Sequence, residues 1–297
     1  MLRTITLDPP VDLAATLRPA FAGKPDPSAQ IAQGEAWVAQ RTPEGPATLH
    51  LAGDGAFVEA EAWGPGAGWA LEHSPGLVGA ADEPAAFRPE DTALARLARR
   101  HRGIRITSSG LVTEALIRAI VGQKVTGREA KGSYRRMTLA FGEPAPGPTD
   151  LTLPPDPAAL AASAYTRFHP FGIERKRAEI IIRVAGRATR MEEAAGMGLD
   201  DAYTRITAMR GVGPWTAAKV GLTALGDADA VMIGDYHLKN MVAWALAGEP
   251  RGDDDRMLEL LQPFRPHRGR LTRILKAAGL KAPRYGPRSP IRSIERI

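Results

Sequence analysis

The stretch that decides the fold is Ile206–Asn240, which reads ITAMRGVGPWTAAKVGLTALGDADAVMIGDYHLKN. Its centre, Gly211-Val212-Gly213, predicts a tight hairpin between two helices, because glycine has no side chain to restrict the backbone or to block another backbone. Pro214 is a favoured first helical residue, so the second helix is expected to run from there to Leu225 and to end at Gly226. The N–H groups at the start of this helix are expected to form an anion site suited to a phosphate.

Helical spacing continues on the N-terminal side of this stretch. The sequence Thr126-Gly-Arg-Glu129 is a capping box, which predicts a helix running toward Phe141. The stretch Glu143–Pro157 holds six prolines and is expected to be a stiff connector. Further helical patterns cover Val112–Ile120, Ile173–Val184, Asp200–Met209 and Pro266–Leu275.

The first 90 residues have a different pattern, in which short apolar runs alternate with glycine and proline. Such runs are typical of strands in an antiparallel sheet. The predicted strands are Leu2–Leu7, Ile31–Arg41, Ala47–Leu51 and Ala56–Trp63. The sequence therefore predicts a mainly α protein with an N-terminal α+β sheet domain over 1–90, a helical domain over 91–282 and a basic C-terminal tail over 283–297.

Composition excludes several classes of protein. The chain has 297 residues, 44% of them hydrophobic, which is enough for a substantial core. Cysteine is absent, which excludes disulfides, thiolate zinc sites and cysteine-bound iron–sulfur clusters. Met1–Pro10 has no signal-peptide pattern and no stretch has the length of a membrane span. We expect a soluble protein of the cytoplasm, associated with the nucleoid and not with a membrane.

Positive charge is concentrated in two places. From Gln262 to the end there are ten Lys or Arg residues and one acid, a net charge of +9, so the residues before Gln262 sum to −3 within the total of +6. A second basic run lies at Arg96–Arg105. Concentrated positive charge attracts polyanions, of which nucleic acid is the commonest in the cytoplasm. A solubilising tail is the alternative interpretation.

Four motifs together resemble one family. GVGPWTA at Gly211–Ala217 is followed by GDYHLK at Gly234–Lys239, with Asp235 twenty-two positions after Gly213. AIVGQKV at Ala119–Val125 and GIERKRA at Gly172–Ala178 extend the match to about residues 110–275. The sequence resembles the helix-hairpin-helix DNA glycosylases, in particular their alkylpurine (3-methyladenine) branch. The resemblance implies a monomeric base excision repair enzyme that flips an alkylated purine out of damaged double-stranded DNA and hydrolyses its glycosidic bond without a cofactor.

The resemblance implies that Asp235 is the catalytic residue. A carboxylate at the start of a helix is favoured in its ionised form by the helix dipole. It can stabilise the cationic sugar that develops as the base departs and can orient the attacking water. Trp215 and Tyr236 are expected to form the base pocket, because an N-alkylated purine is cationic and is attracted to electron-rich rings.

The family pattern also implies contacts with DNA. Gln123 is expected to contact the flipped site or the opposite strand, and Lys124, or Val125 in its place, to fill the space left by the flipped base. The carbonyls of Thr207, Met209 and Val212 match positions that hold a monovalent cation in the family, although no dedicated metal is implied. The other expected DNA-binding residues are Gly211, Val212, Gly213, Thr216, Arg268 and Arg270.

Two alternatives stay open. A non-catalytic helix-hairpin-helix protein would need only the hairpin and the basic tail. A bifunctional glycosylase and lyase would need a reactive amine near the pocket, for which Lys219, Lys124 and Lys239 are candidates, whereas Trp215 stands where related lyases have a lysine. A Ser-His-Asp hydrolase is disfavoured, because the sequence has no GxSxG motif.

Overall fold

The N-terminal part of the chain forms an antiparallel sheet. The computed structural model describes residues 2–21 and 26–283, and most of the predicted basic tail lies outside them. Strands β1 (Leu2–Thr6), β2 (Ala29–Ala32), β3 (Glu35–Thr42), β4 (Gly45–Gly53) and β5 (Phe57–Trp63) are ordered β1-β5-β4-β3-β2. All neighbouring strands are antiparallel, as the alternating pattern predicted.

The sequence pattern explains which face of the sheet is buried. In β5, Val58, Ala60 and Ala62 are buried while the two glutamates between them point the other way, because successive strand side chains alternate in direction. The prediction of one strand over Ile31–Arg41 was wrong: this segment contains β2 and β3. Gly34, with φ of 71°, forms the turn between them, and such a φ favours glycine.

Helices make up the elements after β5, and one short helix lies between β1 and β2. The capping box of Thr126 and Glu129 is present at the start of α5. The helix that begins at Pro214 continues beyond α10 as a π-helical turn over Gly221–Leu225 and ends at Gly226, whose φ is 75°. The helices are α1 Leu13–Leu17, α2 Ala67–Leu77, α3 Thr92–Arg100, α4 Val112–Val121, α5 Gly127–Phe141, α6 Pro157–Ala161, α7 Arg175–Ala185, α8 Ala188–Glu192, α9 Leu199–Thr207, α10 Pro214–Val220, α11 Leu238–Ala247, α12 Asp254–Leu261 and α13 Arg268–Ala277.

Helix α4 lies at the centre of the main hydrophobic core of the helical part. Leu116 and Ile120 of α4 are completely buried, and they share one cluster with Ile181 of α7 and Val220 of α10. Burying an aliphatic side chain of this size contributes about 1.5–3 kcal/mol, so the cluster fixes these helices relative to one another. Because α4 packs on α10, the loop that follows α4 lies beside the hairpin that precedes α10.

The proline-rich connector packs against the sheet. Leu151 and Leu153 are buried with Ala39 of β3, and Pro144 forms an isolated bridge with Thr152. The connector therefore joins the helical part to the back of the sheet. In the described parts of the chain, no helix is long and apolar enough to cross a membrane.

Two of the arginines expected at the basic surface near the C-terminus are not available to a polyanion. Arg270 is only 2% exposed and forms an ion pair with Asp82. Arg273 is buried and donates to the backbone carbonyl of Arg105, which is itself buried. Burial of a charged side chain requires partners of this kind, so these arginines attach α13 to the rest of the fold. Arg284, Arg288, Arg292 and Arg296 lie outside the described residues.

Candidate active site

The hairpin is present, and its two glycines differ in what they require. Gly211 has φ of 98°, and a Cβ there would stand 2.5 Å from Ile180, so both conformation and space demand glycine. Gly213 has an extended backbone, with φ of −99° and ψ of −177°, and a Cβ there would meet nothing within 4 Å. Gly211 therefore determines the conformation of the turn, whereas Gly213 leaves free space on the outer side of the hairpin.

Two side chains hold the hairpin from neighbouring helices. Gln123, after α4, donates from Nε2 to the carbonyl oxygen of Gly211 at 3.0 Å and to Oγ1 of Thr216 at 2.8 Å. Arg183 of α7 donates to the carbonyl oxygen of Arg210 at 2.7 Å. The Gln123 amide and the buried Thr216 hydroxyl are therefore hydrogen-bonded to each other. In this structure both side chains stabilise the hairpin.

Asp235 lies three residues before the first residue of α11 and accepts three hydrogen bonds. Its Oδ1 accepts from the backbone N–H groups of His237 and Leu238, each at 2.9 Å. Its Oδ2 accepts from the indole Nε1 of Trp215 at 3.0 Å. Trp215 is the second residue of α10, so this hydrogen bond joins the helix after the hairpin to the candidate catalytic residue.

These donors fix the charge state of Asp235. Burial acts to raise the pKa of the carboxyl, but the Trp215 N–H and the two backbone N–H groups outweigh it and lower the pKa below its usual value. Asp235 is therefore an anion at neutral pH. It is held in one orientation, as electrostatic stabilisation of a cationic transition state requires.

Lys219 lies on the same helix, one turn after Trp215. Its ammonium stands 5.1 Å from the centre of the Trp215 ring, within cation–π range. Burial, together with the positive charge of Lys276, lowers the pKa of Lys219 to about 8, although the Asp235 carboxylate opposes this shift. Trp215 thus contacts the Asp235 anion through its N–H group and the Lys219 cation through its ring.

The loop after α4 presents one exposed cation. Lys124 is exposed and has φ of 56°, a left-handed conformation that lysine adopts only at a cost. Val125, beside it, is half-buried. The loop therefore directs Lys124 outward beside the hairpin.

Three predicted site residues are not placed in the expected way. Tyr236 is 77% exposed and packs edge-on against His237, so it does not form a wall of a base pocket. Arg268 donates to both carboxylate oxygens of Asp229 at 2.9 and 2.7 Å. Arg270 is buried, so the expectation that it binds a phosphate was wrong.

The expected cation site lies at carbonyl groups of the hairpin. Among the three carbonyls of the expected cation site, that of Met209 accepts from the N–H of Val212 at 2.9 Å. No group of three or more His, Cys, Asp or Glu residues suited to a metal ion occurs in residues 2–21 and 26–283. A cation at Thr207, Met209 and Val212 stays a prediction.

Sequence reasoning missed a buried polar cluster beside Lys219. Arg118 of α4 donates to Asp26 at 2.6 Å, to Ser28 at 2.8 Å and to Glu114 at 2.8 Å. Gln40 of β3 lines the same cavity as Arg118 and Lys219. Glu114 and Arg118 have the i,i+4 spacing of an ion pair on one helix. Asp26, Ser28 and Gln40 come from distant segments without a common motif, so no sequence signal could have grouped them with Arg118.

The known proteins that are similar to this chain are named as DNA glycosylases. No protein-family model matches the sequence. A Bacillus subtilis (strain 168) protein named "Putative DNA-3-methyladenine glycosylase YfjP" is 23% identical over 180 residues, which are 59% of this chain and 62% of that relative. The match therefore spans less than two thirds of the relative's length.

Two solved structures have a similar fold over nearly the whole chain. A 3-methyladenine DNA glycosylase from Archaeoglobus fulgidus has a TM-score of 0.78 at 19% identity, covering 92% of this chain and 97% of that one. An 8-oxoguanine glycosylase/lyase from Clostridium acetobutylicum, in complex with double-stranded DNA, has a TM-score of 0.69 at 12% identity, covering 93% of this chain and 96% of that one.

Proposed function

The chain has the fold of the helix-hairpin-helix DNA glycosylases, as its motifs predicted, and from this premise we propose that it is a DNA repair glycosylase acting through Asp235. It binds damaged double-stranded DNA as a monomer, flips out an alkylated purine of the 3-methyladenine type and hydrolyses the glycosidic bond. The observation that carries this proposal is the ionised Asp235 carboxylate, held by Trp215 and by the start of α11.

The proposed mechanism uses the residues around the hairpin. The Asp235 anion stabilises the positive charge that develops on the sugar as the base leaves, and it orients the water that attacks the sugar. The hairpin N–H groups bind a phosphate of the damaged strand, and Lys124 enters the duplex as the base leaves the stack. No side chain in this mechanism forms a covalent bond to the sugar, so the DNA strand stays intact.

The test is base release from alkylated duplex DNA. The protein is expected to release methylated purines and to leave abasic strands that break only after added base or heat. Release with immediate strand cleavage, together with trapping of the protein on DNA by borohydride, would replace the hydrolytic mechanism with a lyase acting through an amine such as Lys219. Binding to the same DNA without any release would support the non-catalytic alternative.

The two hairpin glycines provide a prediction about DNA binding. Gly211→Ala is expected to cost about 1–3 kcal/mol of stability, because its left-handed conformation and the nearby Ile180 side chain disfavour a Cβ. Gly213→Ala is expected to leave stability nearly unchanged and to weaken binding to damaged and undamaged duplexes alike, because the added methyl group faces the expected phosphate. Thermal unfolding and fluorescence anisotropy measure the two effects. A change in lesion preference alone for Gly213→Ala would contradict the phosphate role.

A further inference from the structure

One face of α5 carries a row of exposed positive side chains. Arg128, Lys131 and Arg135 are all exposed, and their spacing of three and four residues places them on one side of the helix. With a rise of about 1.5 Å per residue, the row is about 10 Å long. This length is comparable with the axial rise of three nucleotides of one DNA strand, at about 3.4 Å each.

The positive charge of this row is not neutralised by acids of the protein. Among the residues that the structure describes, no carboxylate forms an ion pair with Arg128, Lys131 or Arg135. The one acid in the sequence of α5, Glu129, instead accepts from the backbone N–H of Thr126 in the capping box. The three cations are therefore available to a polyanion.

Gly132 lies on the same side of α5, one turn after Arg128, where the helix does not require glycine. The nearest atom that a Cβ at Gly132 would meet is Nη1 of Arg136, at an ordinary contact distance of 3.5 Å. Glycine in the middle of a helix is less favourable than alanine, because it loses more backbone freedom on folding. A glycine beside a row of cations leaves room for the backbone of another molecule to approach the helix closely.

The row begins beside the candidate active site. Gln123, in the loop between α4 and α5, donates to the Gly211 carbonyl oxygen and to Thr216. Lys124 follows it and is exposed, and α5 starts three residues later. The first turn of α5 therefore lies close to the hairpin, and the row extends from there along the surface.

We propose that this face of α5 binds the sugar–phosphate backbone of the duplex that flanks the lesion. Arg128, Lys131 and Arg135 contact phosphates, and Gly132 lets the DNA backbone approach the helix. The inference rests on the proposed function for the identity of the ligand, and it adds a second binding surface to that of the hairpin. Phosphate contacts carry no information about the base, so this surface holds damaged and undamaged duplexes alike.

The test is the salt dependence of duplex binding by the full chain. A variant with Arg128→Gln, Lys131→Gln and Arg135→Gln is compared with wild type on a long undamaged duplex, by fluorescence anisotropy over a range of KCl concentrations. Each lost phosphate contact lowers the slope of log affinity against log salt by about 0.9, so the three together are expected to lower it by about 2.7. The affinity at about 0.1 M salt is expected to fall at least about tenfold.

The control removes the same charge from other surfaces. Arg3→Gln, Arg18→Gln and Arg88→Gln replace three exposed arginines that lie outside α5 and outside the two basic runs of the sequence. This variant is expected to keep the wild-type slope to within about one unit. Thermal unfolding confirms that both triple variants are folded. An unchanged slope in the α5 variant, or an equal fall in both variants, would overturn the proposal.

Gly132→Leu tests the close approach of the DNA backbone without a change of charge. Leucine is a better helix former than glycine, so the thermal midpoint is expected to stay or to rise. Duplex affinity is expected to fall severalfold, because the side chain holds the DNA backbone away from the helix. Wild-type affinity in this variant would overturn the contact at Gly132.

Base release by the wild type separates failure of this inference from failure of the proposed function. If the wild type releases methylated purines and the α5 variant keeps the wild-type slope, the α5 surface is overturned and the glycosylase stands. If the slope falls as expected but the wild type releases no base, the DNA-binding surface stands and the glycosylase is overturned.

Discussion

Asp235→Asn is expected to slow base release roughly a thousandfold, the scale seen when a preorganised electrostatic group is removed from an active site. The neutral amide cannot stabilise a cationic sugar. The fold should remain, because the asparagine Oδ1 can still accept from the N–H groups of His237 and Leu238. Affinity for duplex DNA is expected to stay within about threefold of wild type, because the side chain is replaced by one of the same size.

Single-turnover release of methylated purine measures the effect, and anisotropy with the same duplex measures binding. Wild-type rates in the asparagine variant would remove Asp235 from the mechanism. A parallel loss of binding and release would instead indicate a structural role for the carboxylate.

Trp215→Phe is the matched comparison, because it retains the Asp235 charge and removes one donor to it. Since the indole N–H helps to lower the pKa of Asp235, its loss should raise that pKa. A higher pKa means that Asp235 becomes protonated at a higher pH as the solution is acidified. The acid limb of the pH–rate profile should therefore move to higher pH, with a smaller loss near neutrality than in Asp235→Asn.

Arg118→Met is expected to have the largest effect on stability, a loss of about 3–5 kcal/mol, because removing one partner of a buried ion pair leaves the other charge uncompensated. The Arg118 guanidinium binds Asp26, whose side chain is fully buried, and stands 4.0 Å from the centre of the Tyr134 ring. The variant loses the contact between α4 and the segment before β2, so the sheet and the helical part should separate more easily.

The pH dependence of this loss provides a second check. Burial raises the pKa of Glu114 despite the nearby Arg118, and in the variant nothing opposes that effect. A raised carboxyl pKa contributes stability at low pH that is lost as pH rises through the folded-state value. The deficit of Arg118→Met should therefore be larger at pH 8 than at pH 5.

Thermal and urea unfolding of both proteins at the two pH values measure this deficit. Arg175→Met is the control, since Arg175 is an exposed member of an ion pair with Glu179 and its replacement should leave the unfolding midpoint nearly unchanged. Similar midpoints for the two variants would show that the buried cluster does not join the two parts of the fold.

The domain boundaries at 90 and 282 remain a proposal, and these experiments also address the boundary at 90. The sheet strands end at Trp63, and α2 packs on the sheet. The Arg118–Asp26 ion pair joins the segment before β2 to α4, on the other side of the proposed boundary at 90. If the two parts unfold separately in Arg118→Met and together in the wild type, they are distinct domains coupled through this cluster.

The sequence by itself determined the local elements. The alternation of β5, the capping box of Thr126 and the glycines around the hairpin each specify conformation through residues a few positions apart. The position of Asp235 just before α11 followed in the same way, although His237 and not Asp235 is the N-cap residue. Such features depend on backbone preference and short-range hydrogen bonds, so they can be recognised in one chain without its fold.

Only the tertiary structure decided which charged side chains are exposed and which are buried against a partner. Arg270 reads as a surface cation in the sequence, yet it is buried against Asp82, 188 positions away. The Arg118–Asp26 pair spans 92 positions. Lys219 becomes a pocket residue only because β3 and α4 pack beside its helix. The exposure and partners of a charged side chain depend on which distant segments pack around it, and no local pattern specifies those segments.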